Sequence, residues 1–135
     1  MPTLRLPAVM ESLESFQSFV FRQMEQEGLD ELTPQVDLTL EEVLVNVIHY
    51  AYPQGDGEIE MECRMEAPGS LYLAFRDWGI PFNPLDQPPP DLTADISERR
   101  VGGLGIYLAK EMAARLSYEY REGCNVLMLW FEKKG

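Results

Sequence analysis

Two cysteines and one histidine are all the thiolate and imidazole ligands that 135 residues provide. Cys63 and Cys124 show no CxxC spacing, so zinc is not expected; the pattern predicts two buried free thiols in a reducing cytoplasm. Basic residues are scarce as well: 11 Lys and Arg against 23 Asp and Glu leave a formal charge of −12. That balance argues against direct nucleic-acid binding, which calls for a basic stripe, and against docking on an anionic membrane. No run approaches the ~20 apolar residues of a membrane span. The opening MPTLRLPAVMESLESF has neither a cationic start before an apolar block nor a small-residue cleavage site, so no export signal is expected. What remains is 45% apolar and 25% charged, an ordinary soluble composition. With no repeat and no linker, residues 1–135 read as a single cytoplasmic domain.

Hydrophobic periodicity orders the chain. TLRLP (3–7) alternates like an edge strand. Over residues 8–28, Val9, Leu13, Phe16, Phe19, Val20 and Met24 recur at helical steps, and Gly28 stops them. A second helix is expected from Thr33, as cap, with Pro34 in its first turn, to about Tyr52, where Pro53 ends it. Residues 57–66 alternate strictly, with Ile59, Met61, Cys63 and Met65 inward and Glu60, Glu62, Arg64 and Glu66 outward; residues 71–78 form the hairpin partner. Residues 79–101 are rich in Pro and Asp and aperiodic, a length that suits a functional lid. A third helix is expected over 104–115, with Ile106, Ala109, Met112, Ala113 and Leu116 as its apolar side, then strands over 117–122 and 125–133. This order gives an α+β two-layer sandwich: a mixed, mostly antiparallel sheet covered on one face by three helices.

Three stretches carry chemistry. In EEVLVNVIHYAY, Glu42 and Asn46 stand four apart and so one above the other, beside the core band Val36, Leu40, Val43, Leu44, Val47 and Ala51. Glu42, Asn46, His49 and Tyr50 form a polar track that reads as a solvated helix face or as a base beside an oxygen ligand for a hard cation. In RDWGIPFNP, Asp77 ends a strand and Gly79 follows; this is either a plain turn or a carboxylate that accepts from the amino group of adenine above a glycine floor. In RRVGGLG, Gly102, Gly103 and Gly105 precede a helix behind Arg99 and Arg100. That cluster serves as a hinge or as backbone donors for an anion, and it matches neither the P-loop nor the Rossmann spacing.

Taken together, EEVLVNVIHYAYP, DWGIPFNPL and GGLGIYLAKEM resemble the GHKL ATP-binding fold of gyrase, heat-shock chaperone, histidine kinase and MutL. Within it the chain is similar to the small anti-sigma factor serine/threonine kinases, over nearly its whole length. The resemblance implies an ATP- and Mg²⁺-dependent kinase that phosphorylates a STAS-type anti-anti-sigma protein and sequesters a sigma factor, often as a homodimer. It implies Glu42 as general base, Asn46 as the Mg²⁺ ligand and Asp77 as the adenine reader. Nucleotide contacts are implied along Gly79 and Pro81, and at Arg100, Gly102, Gly103, Leu104 and Gly105 under a lid at 79–101. The broader superfamily has a glycine where Pro81 stands, and this branch commonly has proline. Where many members place a nucleotide-reaching threonine, this chain has Asn125. A non-catalytic nucleotide-binding regulator that switches partners through its lid is the alternative; Glu42 speaks against it, since binding alone does not need a base.

Overall fold

The structure, a computed structural model, describes residues 3–53, 55–83 and 112–133. Its strands are β1 (Thr3–Pro7), β2 (Glu58–Ala67), β3 (Ser70–Asp77), β4 (Arg115–Arg121) and β5 (Cys124–Glu132). They form one sheet in the order β1-β2-β3-β5-β4. Every adjacent pair is antiparallel, so among the described strands the sheet is not mixed. Two helices, α1 (Leu13–Gln26) and α2 (Thr33–Tyr50), cover one face. The α+β two-layer architecture follows directly from amphipathic helices that bury their stripes on the apolar face of a sheet.

The core joins Phe16, Val20 and Met24 of α1 and Val36, Leu40 and Leu44 of α2 to the inward residues of β2, β3 and β5. Ile59, Met61 and Cys63 are fully inside, as the alternation requires. Burial pushes the Cys63 thiol up to about 12, which makes it inert at neutral pH. Cys124 departs from the expectation of two buried thiols: it opens β5 next to a turn and is half-buried. Met65 also departs, at 38% exposed, because the β2–β3 register shifts between Met65 and Ala67.

Element ends moved where backbone hydrogen bonds overrode periodicity. The first helix begins at Leu13, after a 3₁₀ turn over Met10–Ser12, because the Ala8 amide donates to Gly57 O at 2.8 Å and keeps the chain on the sheet edge. Thr33 is not a cap; a 3₁₀ turn over Asp30–Leu32 runs straight into α2, with Leu32 at the cap position. Of the expected third helix, residues 104–111 lie outside the described residues, and helical backbone ends at Met112. The Ala114 amide donates to Trp130 O at 2.7 Å, which draws the chain into β4 by Arg115. β4 and β5 are joined by Glu122 and Gly123 with φ of 54° and 77°, the paired positive dihedrals of a tight hairpin turn. No helix among the described residues is long and apolar enough to cross a membrane.

Candidate functional site

The exit of β3 meets the end of α2. Ala51 O accepts from the Ile80 amide at 2.9 Å, so a helix-terminal carbonyl is satisfied by the chain leaving the sheet. Gly79 makes this approach possible. A Cβ there would sit 2.1 Å from Ala51 O and 2.6 Å from its carbonyl carbon, closer than any real contact. The glycine is therefore required by helix packing; the sequence had suggested a floor for a flat ring.

The two strands beside this junction fix the polar groups. Register pairs Asp77 of β3 with Asn125 of β5, which puts the two side chains next to each other on the helix-facing side. Asn125 Nδ2 donates to Asp77 Oδ1 at 2.9 Å, and the Gly79 amide donates to the same oxygen at 3.0 Å. Oδ2 has no hydrogen-bond partner among the described residues. Burial raises the Asp77 carboxyl above its ordinary value, and the bonds from Asn125 and Gly79 oppose that rise.

Asn46 projects from α2 toward the same place. Its side chain is 8% exposed and makes no hydrogen bond among the described residues. Asn46, Asp77 and Asn125 together line a narrow cavity of about 430 Å³, counting its open mouth, whose remaining wall is apolar: Val43, Val47, Phe75, Phe82 and Leu127 among others. A mostly apolar cleft with a few convergent polar groups is the form that small-molecule sites take. Its chemistry suits a flat heterocycle that offers a donor to Asp77, with an oxygen ligand, Asn46, for a cation nearby.

The other sequence-derived candidates distribute unevenly. Glu42 lies one turn before Asn46, half-buried, and is not among the described lining residues. Its carboxyl is raised by burial and by the neighbouring Glu41 charge. Pro81 is exposed and does not line the cavity. His49 is exposed at the end of the polar track, its ring 6.2 Å from that of Tyr50. Arg100, Gly102, Gly103, Leu104 and Gly105 lie outside the described residues, as do residues 84–101 of the expected lid. Residues 79–82 of that stretch are tied to α2 and β5, since Phe82 N donates to Asn125 Oδ1 at 3.0 Å.

Two aromatic residues had no sequence signal of their own. Tyr118 of β4 donates a short hydrogen bond to Asn125 Oδ1, and Phe82 stacks on Tyr50 at 5.8 Å and 18°. Tyr118 could be found only from the β4–β5 register, which sets it opposite Leu127 on the cavity side.

An antiparallel sheet under two helices, with a polar-edged cavity between α2 and the strand ends, defines an α+β domain with a candidate ligand cleft at the helix–sheet junction. The sequence matches the histidine kinase-like ATPase domain family over residues 6–131, and the chain belongs to that family. The fold is shared with the structure of the RsbU and RsbW domains of Rv1364c from Mycobacterium tuberculosis, at a TM-score of 0.61 and 11% identity over 98% of this chain. It is shared also with the Acinetobacter baumannii histidine kinase AdeS, at 0.52 and 12%, over 100% of this chain and 70% of that one. This chain spans 32% of the length of the mycobacterial one. No curated protein sequence matches the chain.

Proposed function

We propose that the cavity binds ATP and that the protein is a serine kinase of the partner-switching type. Its substrate would be a STAS-type anti-anti-sigma protein, and the kinase would also hold a sigma factor, as a homodimer. One observation carries the nucleotide reading: Asn46 and Asp77 each turn a polar group that has no partner among the described residues into the same apolar cleft. An apolar cleft with a few such groups converging on it is the form in which a small molecule is held. Membership of the ATPase family and the RsbW domain in the mycobacterial neighbour support the kinase reading. The serine specificity and the partners rest on the motif set alone.

Asp77 Oδ2 would accept from the adenine amino group while Val43, Val47 and Leu127 pack against the ring. Asn46 would supply one oxygen to Mg²⁺. Mg²⁺ is ordinarily held by one or two protein oxygens together with water and substrate phosphates. When bound, Mg²⁺ neutralises charge on the triphosphate. Glu42 would take the proton of the substrate serine as its oxygen attacks the γ-phosphorus and ADP leaves with the bridging oxygen; its raised carboxyl is a stronger base for that step. The glycine amides of the 102–105 stretch are proposed to hold the phosphates, beneath a lid at 79–101.

Purified protein, labelled ATP and a STAS partner should yield phosphoserine. Glu42→Ala should lower transfer by about 10²- to 10⁴-fold and leave ATP affinity unchanged. Undiminished transfer in that variant removes Glu42 as base. Tight ATP binding without transfer to any STAS protein would favour the non-catalytic regulator.

A further inference from the structure

Asn125 uses every hydrogen-bonding position it has. An amide side chain offers two N–H donors and two oxygen lone pairs. Here Nδ2 donates to Asp77 Oδ1 at 2.9 Å and to Ile80 O at 2.8 Å. Oδ1 accepts from the Phe82 amide at 3.0 Å and from the Tyr118 hydroxyl. The orientation of the amide is unambiguous, because one end faces a carboxylate and a carbonyl while the other faces two donors. The residue is 5% exposed and lines the cavity, yet it has no donor or lone pair left for a ligand.

Its bonds act on Asp77 from two directions. The first saturates Oδ1 together with the Gly79 amide and leaves Oδ2 as the carboxylate's available acceptor. The second and third sew residues 80–82 onto β5, which holds the Gly79 amide in place from its far side. Tyr118, reaching in from β4, keeps the amide itself from turning. We propose that Asn125, braced by Tyr118, is a positioning residue: without touching the nucleotide, it presents Asp77 as a fixed acceptor and so sets preference for a purine with a 6-amino group. This rests on the ATP reading above. It assigns Asn125 a role other than direct nucleotide contact.

The test compares ATP with purine riboside triphosphate, which differs only by lacking the 6-amino group. Dissociation constants of both are measured with Mg²⁺ by titration calorimetry on the wild type, Asn125→Ala and Tyr118→Phe. The wild type should favour ATP by about 10- to 100-fold, the range of one hydrogen bond to a charged group. Asn125→Ala should reduce that preference to about threefold or less, through ATP alone, while affinity for the desamino ligand stays within about threefold. Tyr118→Phe should reduce it by about two- to fivefold, and it decides the matter alone if Asn125→Ala does not fold. Equal losses for the two ligands, or an unchanged preference in the folded variants, overturn the proposal. A wild type that binds ATP and the desamino ligand equally overturns it too, with the ATP reading intact. A wild type that binds neither removes that reading and this one together.

Discussion

The two sides of the sheet treat polar groups in opposite ways. On the solvent side a row crosses four strands: Arg64 stacks over Tyr72 at 4.3 Å, Tyr72 lies 5.2 Å from Trp130, and Arg115 stacks over Trp130 at 4.4 Å. Glu66 accepts from Trp130 Nε1 at 2.6 Å and pairs with Arg64, which also pairs with Glu62. Each group there is answered by a cross-strand neighbour. At the cavity edge, Asn46 and one oxygen of Asp77 go unanswered among the described residues, although both side chains are buried. The outer face closes its polar groups on one another, whereas the cleft leaves two of them facing open space.

Asp77→Asn is the sharpest way to break that contrast. The amide oxygen introduced there can still accept from Gly79 and Asn125, while its nitrogen replaces the acceptor Oδ2 with a donor. ATP affinity should fall by about 10- to 100-fold in titration calorimetry. Stability should move the other way. The folded carboxyl is raised by burial, so its favourable contribution holds below the unfolded value and is lost as pH rises through the raised one. Without ligand, the variant should therefore gain stability relative to wild type on going from about pH 3 to about pH 7 in urea titrations. A variant that loses stability along that path would mean Asp77 is a structural charge.

Gly79→Ala tests the junction that carries the cavity. The added methyl meets the Ala51 carbonyl at 2.1 Å, and backbone on both sides must give. We expect about 1–3 kcal/mol of lost stability by urea denaturation, with weaker ATP binding because the Gly79 amide leaves Asp77. A neutral substitution would show that α2 and the β3 exit are loosely joined.

The sheet and both helices were legible from periodicity, and Asn46 and Asp77 stood out in their motifs, whereas Asn125 came only from the resemblance to the ATP-binding family. Strict alternation in residues 57–66 fixed the buried face of β2, and the apolar band of α2 left Asn46 beside it. What could not be read were effects of register and close approach. The saturation of Asn125 requires Tyr118, Ile80 and Phe82 to converge from three segments, and no local pattern encodes that meeting. Gly79 was legible as important but for a different reason, since the carbonyl it clears comes from a helix 28 residues earlier in the chain. Glu62 illustrates the same limit on the solvent side: alternation places it outward, yet it is 6% exposed.

That burial makes Arg76 the residue with which to finish the comparison. Its guanidinium lies 3.6 Å from Glu60 and 3.7 Å from Glu62, at partial exposure. Removing a countercharge from a buried acid can be costly, but Glu62 keeps Arg64 at 2.5 Å on its other oxygen. Arg76→Ala should then cost less than about 1 kcal/mol in urea denaturation, as exposed pairs generally do. ATP affinity should stay within about twofold of wild type, a shift under about 0.4 kcal/mol. A loss several times larger would mean that the solvent face depends on single ion pairs. The contrast with the cavity edge would then lie in location alone, and unpaired groups would lose their value as markers of the site.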